Sequence, residues 1–426
     1  MSRTSRFRLV PMTPRDPGEP GRSASTLELF FDLVFVVAVS IASVQLHHAL
    51  SAGHVLDGLA TYGLVFFGIW WAWMNFTWFA TSFDTDDWLY RVLTIVQMAG
   101  VLVLASGIEP AFTEADHTLP VLGYVVMRLA MVVQWLRASR SDASVRHVAR
   151  VHAGGIAVLQ VLWLGQLALP EVPGRLVLVA LVVAEVAVPV VAQRRGTTPW
   201  HPHHITERYG LFTLILLGES LLASANAIIE AIHDTDALGP LVSVAVLVVV
   251  VTAALWWIYF WPPHHRSVAD LGGTLRYGYV HYFVLAAAGA LSAGIEVEID
   301  VLTGHAELGE LAASFTVTVP IAVFLAGTWW IAIRDHAGPL VNVVVPLAAV
   351  LVLSDPVIPV PVTLTAVILV LVVVVLVLHP PVAAPPPGRR RGRRVSRAAA
   401  ARPAGPAHPR ERAAARPAAC GTRPPR

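Results

Sequence analysis

The chain contains no lysine: all 30 of its basic residues are arginine. That absence removes whole classes of chemistry. A Walker phosphate-binding loop needs its lysine, and a retinal or pyridoxal Schiff base needs a lysine amine. Cysteine is nearly absent too. The single one, Cys420, rules out a disulfide framework. Charge is scarce at 14% of residues, against about 25% for an average soluble domain. There is no "TVGYG" filter of the potassium-channel type, and no "GxSxG" or "HExxH" motif. ATP-driven transport by this chain alone is not expected, nor is an enzyme, and no cofactor is implied.

What the chain has instead is apolar length. Hydrophobic residues make up 56% of its 426 positions, and the mean hydropathy is +0.65. A membrane-spanning helix needs ~20 predominantly apolar residues. About twelve such runs follow one another, from the one centred near Val36 to the one near Leu371. The expected fold is all-α, a polytopic bundle of about 12 transmembrane helices. Short-loop arginines set orientation. They fall in the N-terminal arm and in every second loop, at Arg91, Arg137 to Arg150, Arg194 and Arg195, Arg266 and Arg276, and Arg334. The opposite loops carry Arg175 and otherwise acids: Glu114 with Asp116, Asp234 with Asp236, and Glu307 with Glu310. Both termini are therefore expected in the cytoplasm, with the protein in the cell membrane. The tail is Pro, Ala and Arg, including "GRRRGRR" at Gly388–Arg394, and is expected to be disordered.

The chain also echoes itself. "LASGIE" (Leu104–Glu109) matches "LSAGIE" (Leu291–Glu296) 187 residues later, and Asp32 stands at the same offset from Glu219. Trp70–Trp71 and Trp256–Trp257 repeat at an offset of 186. Matches at one spacing suggest duplication, and an even helix count per unit makes the copies parallel. The expected division is a basic arm (1–24), two six-helix repeats (25–195 and 196–379) and the tail (380–426).

Acids inside apolar runs are costly, by roughly 2.5–3.5 kcal/mol at the bilayer centre, and mark candidate sites. Glu28 and Asp32 are four apart on the first helix and share a face. Their expected partner lies in the seventh helix, "HHITERYGLFTLILLGES" (His203–Ser220), where His204, Arg208 and Glu219 fall on one stripe. Arg208 and Glu219 are eleven residues apart, about 16 Å along the axis. Asp32 and Glu219 are expected at equivalent places around a pseudo-axis, with Arg208 as counter-ion, able to bind a cation or pass protons. The "FDTDD" loop places Asp84, Asp86 and Asp87 at the cytoplasmic mouth, where they read either as hard-cation ligands or as a cap at Thr85 or Asp86. Glu109 and Glu296 would guard the outer mouth. The His pairs of "WHPHH" and "PPHHR" match no strong metal motif, so no metal site is expected. The paired tryptophans read as packing or interface belts.

These stretches together resemble a family. "STLELFFDLVFVVAV" (Ser25–Val39), "TWFATSFDTDDWLYR" (Thr77–Arg91), the seventh-helix stretch and "LWWIYF" (Leu255–Phe260) are similar to the low temperature requirement A family of bacterial membrane proteins. The resemblance covers roughly residues 25–379 and implies a multi-helix membrane protein. It carries over Glu28, Asp32, Asp84, Asp86, Asp87, Glu207, Arg208, Glu219 and Ser220 as site candidates. The family name describes a growth phenotype and supplies no substrate, and the Arg/Pro tail departs from the pattern. More distantly, the layout is similar to twelve-helix potassium channels lacking a pore loop, an architectural analogy. The function expected is a secondary transporter of a proton- or cation-linked solute. A passive cation channel is the alternative, and a membrane-embedded sensor or enzyme comes third. Expected partners are the bilayer and a proton, cation or small solute, with homo-oligomers left open and no nucleic acid.

Overall fold

The computed structural model describes residues 9–194, 196–233, 238–357 and 362–382. Arg195, Asp234, Asp236 and the tail from Ala383 onward, with its arginine cluster and Cys420, lie outside these residues. Among the described residues the structure is all helix and turn, with no strand. The helices are α1 (Thr26–Ser51), α2 (Val55–Phe83), α3 (Trp88–Ser106), its short continuation α4 (Ile108–Thr113), α5 (Thr118–Ser141), α6 (Arg146–Gln166) and α7 (Glu171–Gln193). Then come α8 (Pro202–His233), α9 (Leu238–Phe260), α10 (Leu271–Thr303), α11 (Glu310–Thr328), α12 (Pro339–Leu351) and α13 (Thr363–Leu378). Taking α3 with α4, 11 of these segments are long and apolar enough to cross a membrane, and α13 is a shorter apolar helix of 16 residues.

The helix starts follow local chemistry. Ser25 and Glu28 form a reciprocal capping box at α1: the Ser25 hydroxyl accepts from Glu28 N–H, and the Glu28 carboxylate accepts from Ser25 N–H at 2.8 Å. Asp87 caps α3 and Asp270 caps α10. On α1, Phe31, Phe35, Val39 and Ala42 are buried while Leu33, Val37 and Val44 face outward. This is the reverse of a soluble surface and suits lipid. Two seams bring backbones into contact. A Cβ on Gly123 of α5 would fall 2.3 Å from the Leu104 nitrogen of α3, and one on Gly294 of α10 would fall 2.2 Å from the Thr316 oxygen of α11. Close approach over small residues is a common way for membrane helices to pack without a hydrophobic drive between them.

The N-terminal arm, Leu9 to Ala24, lies across one end of the bundle. Arg15 N–H donates to Ser82 O at 2.9 Å, and a His201 ring nitrogen lies 3.0 Å from Glu19 O. We call this the arm end, and the opposite one the far end.

Candidate functional site

The two acids of α1 turn inward and are fully buried. Arg208 of α8 meets both. Its Nε donates to Asp32 Oδ2 at 2.9 Å, its Nη2 to Asp32 Oδ1 at 2.5 Å, and its Nη1 to Glu28 Oε1 at 3.0 Å. His204, one turn earlier on α8, places Nε2 3.1 Å from Glu28 Oε1. Trp73 of α2 adds an indole N–H to Asp32 Oδ1 at 2.6 Å. Every guanidinium nitrogen of Arg208 is thus committed to α1. Arg22 of the arm approaches Glu28 at 3.8 Å and Asp84 at 3.3 Å. The spacing within α1 and within α8 announced this cluster, whereas the indole of Trp73 and the guanidinium of Arg22 did not stand out in the sequence.

Glu219 does not join it. It stands eleven residues beyond Arg208, half-buried, on a cleft of about 260 Å³ between α1, α8 and α10. Ser40, Ser43 and His47 of α1, Asn226 of α8 and Glu296 of α10 line the same cleft. Asn226 donates to Glu296 Oε1 at 2.8 Å. His47 bonds Asp300 Oδ2 at 2.7 Å, and Ser51 donates to the same oxygen at 2.6 Å. Phe35, Val39, Phe212 and Leu216, all fully buried on α1 and α8, occupy the turns between the two levels. The expected pairing of Asp32 with Glu219 around Arg208 is therefore replaced by two sites at different depths. Glu219 shares its level with Glu296 instead. Ser220, next along, is buried with its hydroxyl lacking a partner among the described residues. Glu207 is exposed and accepts from Ala24 N–H at 3.3 Å. Glu109 lies exposed on α4.

The acids of the "FDTDD" loop are each matched to arginine. Asp84 lies 3.4 Å from Arg15 and 3.3 Å from Arg22, Asp86 lies 2.6 Å from Arg91, and Asp87 bonds Arg137. The helix cap is Asp87, one residue beyond the candidates Thr85 and Asp86, because Asp87 takes the extended backbone that lets its carboxylate accept Tyr90 N–H. Asp86 adopts a left-handed φ of 46° and turns outward to Arg91. No group of three metal-ligating side chains gathers among the described residues. The loop is a clasp for the arm: Asp87 also accepts from Val10 N–H at 3.0 Å, and Arg137 donates to Val10 O at 2.7 Å.

Acid should open this clasp at Asp87. Burial, and then the Glu28 charge, hold Asp84 above the ordinary carboxylate range against Arg22 and Arg15. Burial also pushes Asp87 upward, but the hydrogen bonds from Arg137, Tyr90 and Val10 outweigh it and leave Asp87 below that range. The stability Asp87 contributes is present above the ordinary carboxylate value and is lost as pH falls through its lowered one. Asp84 takes up its proton first on acidification, but because the clasped state raises its affinity for that proton the uptake does not weaken the clasp. The loss comes with Asp87. Arg137→Gln should free the arm at neutral pH, since hydrogen bonds to a charged group contribute about 1.5–3 kcal/mol. Faster amide exchange confined to Leu9–Arg22 would show it. Unchanged exchange there would mean the clasp holds nothing.

A second buried ion pair lies in the other half of the bundle. Arg128 Nη2 of α5 donates to Glu185 Oε2 of α7 at 3.0 Å, and both side chains are 1% exposed or less. Trp71 donates to the same oxygen at 3.0 Å, and Gln160 of α6 to Oε1 at 3.2 Å. The signal was present in the sequence, as one charge in "VVMRLAM" (Val125–Met131) and one in "VVAEVAV" (Val182–Val188). Trp71 and Trp73, two residues apart on α2, thus serve carboxylates on two different sides of that helix. Trp70 is buried as well, whereas Trp256 and Trp257 are each 44% exposed. The tryptophans of the first pair pack and bind, and only the second pair suits a belt.

A family model described as "Bacterial low temperature requirement A protein (LtrA)" matches residues 23–378. Among curated proteins, the chain is 33% identical over 209 residues to a protein of Rhizobium meliloti (strain 1021) described as uncharacterized protein RA0937. The match covers 47% of this chain and 50% of that protein, so the chain spans about half the length of the curated relative it matches.

Proposed function

The chain belongs to the low temperature requirement A family of bacterial membrane proteins, and on that premise we propose that it is a secondary transporter, not an enzyme, moving a small cation or a solute linked to protons. The observation that carries this reading is the cleft holding Glu219 and Glu296, separated by an apolar layer from the buried Glu28–Asp32–Arg208 set. An acid on an open cleft within a spanning helix can take up a cation or a proton. An apolar layer between two polar levels is what a carrier needs in order to expose its site to one side at a time. The cleft lies in the halves of α1, α8 and α10 away from the arm end. With the arm end in the cytoplasm, as the arginine distribution favours, the site sits nearer the outer side. A two-times-six duplication stays part of the reading on its sequence matches, although Trp70 is buried and Trp256 is exposed.

A passive channel would share the closed apolar layer. The two differ in flux. Liposomes holding the purified chain should take up the transported cation or solute with a saturating rate that follows an imposed pH gradient. Uptake that rises linearly with concentration and ignores the gradient would favour the channel. No flux above protein-free liposomes, across inorganic cations and small metabolites, would overturn both.

A further inference from the structure

The two histidine motifs of the sequence, "WHPHH" and "PPHHR", come together at the arm end. A short turn of helix there, His264–Val268, joins α9 to α10. It faces the start of α8 and the arm across a cavity of about 750 Å³, whose lining includes Glu19, Arg22, His201, His203, His265 and Arg266. Two of the histidines are satisfied in their neutral form. His201 Nδ1 accepts from His204 N–H at 3.2 Å, and its Nε2 donates to Glu19 O at 3.0 Å. His264 Nε2 donates to Tyr259 O at 2.6 Å, since a carbonyl only accepts, and its Nδ1 is left to accept from the Tyr277 hydroxyl at 3.0 Å.

His203 and His265 are placed differently. Their rings stack with centroids 4.1 Å apart and planes 20° from parallel. The stack ties α8 to the turn, beside the bond from the Trp200 indole N–H to Val268 O at 2.9 Å. Two neutral rings, or one neutral and one charged, can stack at this distance. Two imidazolium rings repel, because a like charge within about 4–6 Å opposes ionisation. The surroundings are short of free acids. Arg266, Arg22, His264 and His336 add positive or titratable charge around His265. Glu19 is held by Arg15 at 2.7 Å, and Asp270 is held by the Gly273 N–H it caps at 2.8 Å. Glu207 stands one turn beyond His203 on α8 and favours charge on that ring. The first proton therefore goes to His203, and the second is the one opposed. Burial, and then the His203, Arg266 and His336 charges, hold His265 below the ordinary histidine range.

We propose that His203 and His265 form an acid-sensitive latch between α8 and the α9–α10 connection, closed while one ring is neutral and released when both are protonated. The stability the stack contributes is present above the ordinary histidine value and is lost as pH falls toward the lowered value of His265. Release parts the His265–Ala269 edge of the turn from α8 and widens the arm-end cavity, while His264 keeps its bonds to Tyr259 and Tyr277. With the arm end in the cytoplasm, the latch reads cytoplasmic acid in the range where unperturbed histidine titrates. The arm clasp at Asp87 yields only below the carboxylate range, so the two respond in separate pH windows. The latch needs neither a solute nor the cleft carboxylates, and so it goes beyond the cleft reading.

The test is a distance measurement on the purified full chain in nanodiscs, with a chelator present and Cys420 replaced by serine. Spin labels on Thr26→Cys of α1 and Ala269→Cys beside the turn, both exposed positions, report the gap by pulsed electron resonance. A longer distance should appear between about pH 7.5 and about pH 5.5, either side of the ordinary histidine value. Release takes up one proton, so the ratio of long to short distance should rise by up to about tenfold per pH unit. His265→Phe and His203→Phe keep a stacking face and remove the charge, so each should hold the short distance at both pH values. If His265→Phe does not fold, His203→Phe, at an exposed position, decides. Glu219→Gln should leave the transition in place, whatever it does to transport. Four results would each overturn the latch: no longer distance in the wild type, a transition kept in a folded phenylalanine variant, a midpoint in the carboxylate range below about pH 4.5, or loss of the transition in Glu219→Gln.

Discussion

Arg208→Gln should be the most destabilising single change in the protein. The guanidinium satisfies two fully buried carboxylates through three hydrogen bonds of 2.5–3.0 Å. Its removal leaves Asp32 with only the Trp73 indole, and Glu28 with its capping amide, His204 and the distant Arg22. Breaking a buried pair from one side costs about 3–5 kcal/mol, because a buried charge is left without its counter-charge. The expected result is poor accumulation in the membrane and a lowered unfolding temperature in detergent. Adding Asp32→Asn should restore much of the loss. The double variant removes both members of the bidentate pair, and Glu28 keeps its capping amide and His204. The two changes should therefore be strongly non-additive, as contacting residues are. Equal stability of Arg208→Gln and wild type, or simple addition in the double variant, would show that the pair holds nothing.

Glu219→Gln should have the opposite profile, with stability near wild type and function lost. Glu219 is half-buried on the cleft and has no ion pair among the described residues, so an isosteric amide should change stability by no more than about 0.5 kcal/mol. If Glu219 binds the coupling proton or cation, that variant should lose pH-dependent solute flux by about 100-fold or more. Glu296→Gln should follow it more weakly, since Asn226 already holds Glu296. Full coupled flux in Glu219→Gln would place the coupling site elsewhere.

Reading along the chain reached different depths in different places. The apolar runs announced the spans because 20 residues of one character leave few alternatives in lipid. The Glu28–Asp32 and His204–Arg208 stripes were visible because each lies on a single helix, where spacing defines a face. Which faces then meet is a property of lateral packing. Periodicity could not say that Arg208 would turn wholly to α1, or that Glu219 would share a cleft with Glu296 across 77 positions of chain. Arg128 and Glu185 were legible as isolated charges in apolar runs but were passed over. Neither has a second charged residue at helical spacing to draw attention to it, and their partnership runs from α5 to α7.

The glycine seams bear on how the bundle moves. Where α3 meets α5 and α10 meets α11, backbone touches backbone with no room for even a methyl group. A sliding step of one residue along either seam would drive a side chain into a main chain. Each pair therefore travels as one stiff plank, and sliding is left to the contacts cushioned by larger side chains. The cleft lies on such a boundary. Its α10 wall belongs to a plank, while α1 and α8 face it through Ser43, Glu219 and Ala223. A crosslink between α1 and α10 across the cleft should arrest transport, whereas one within the α10–α11 seam should pass unnoticed.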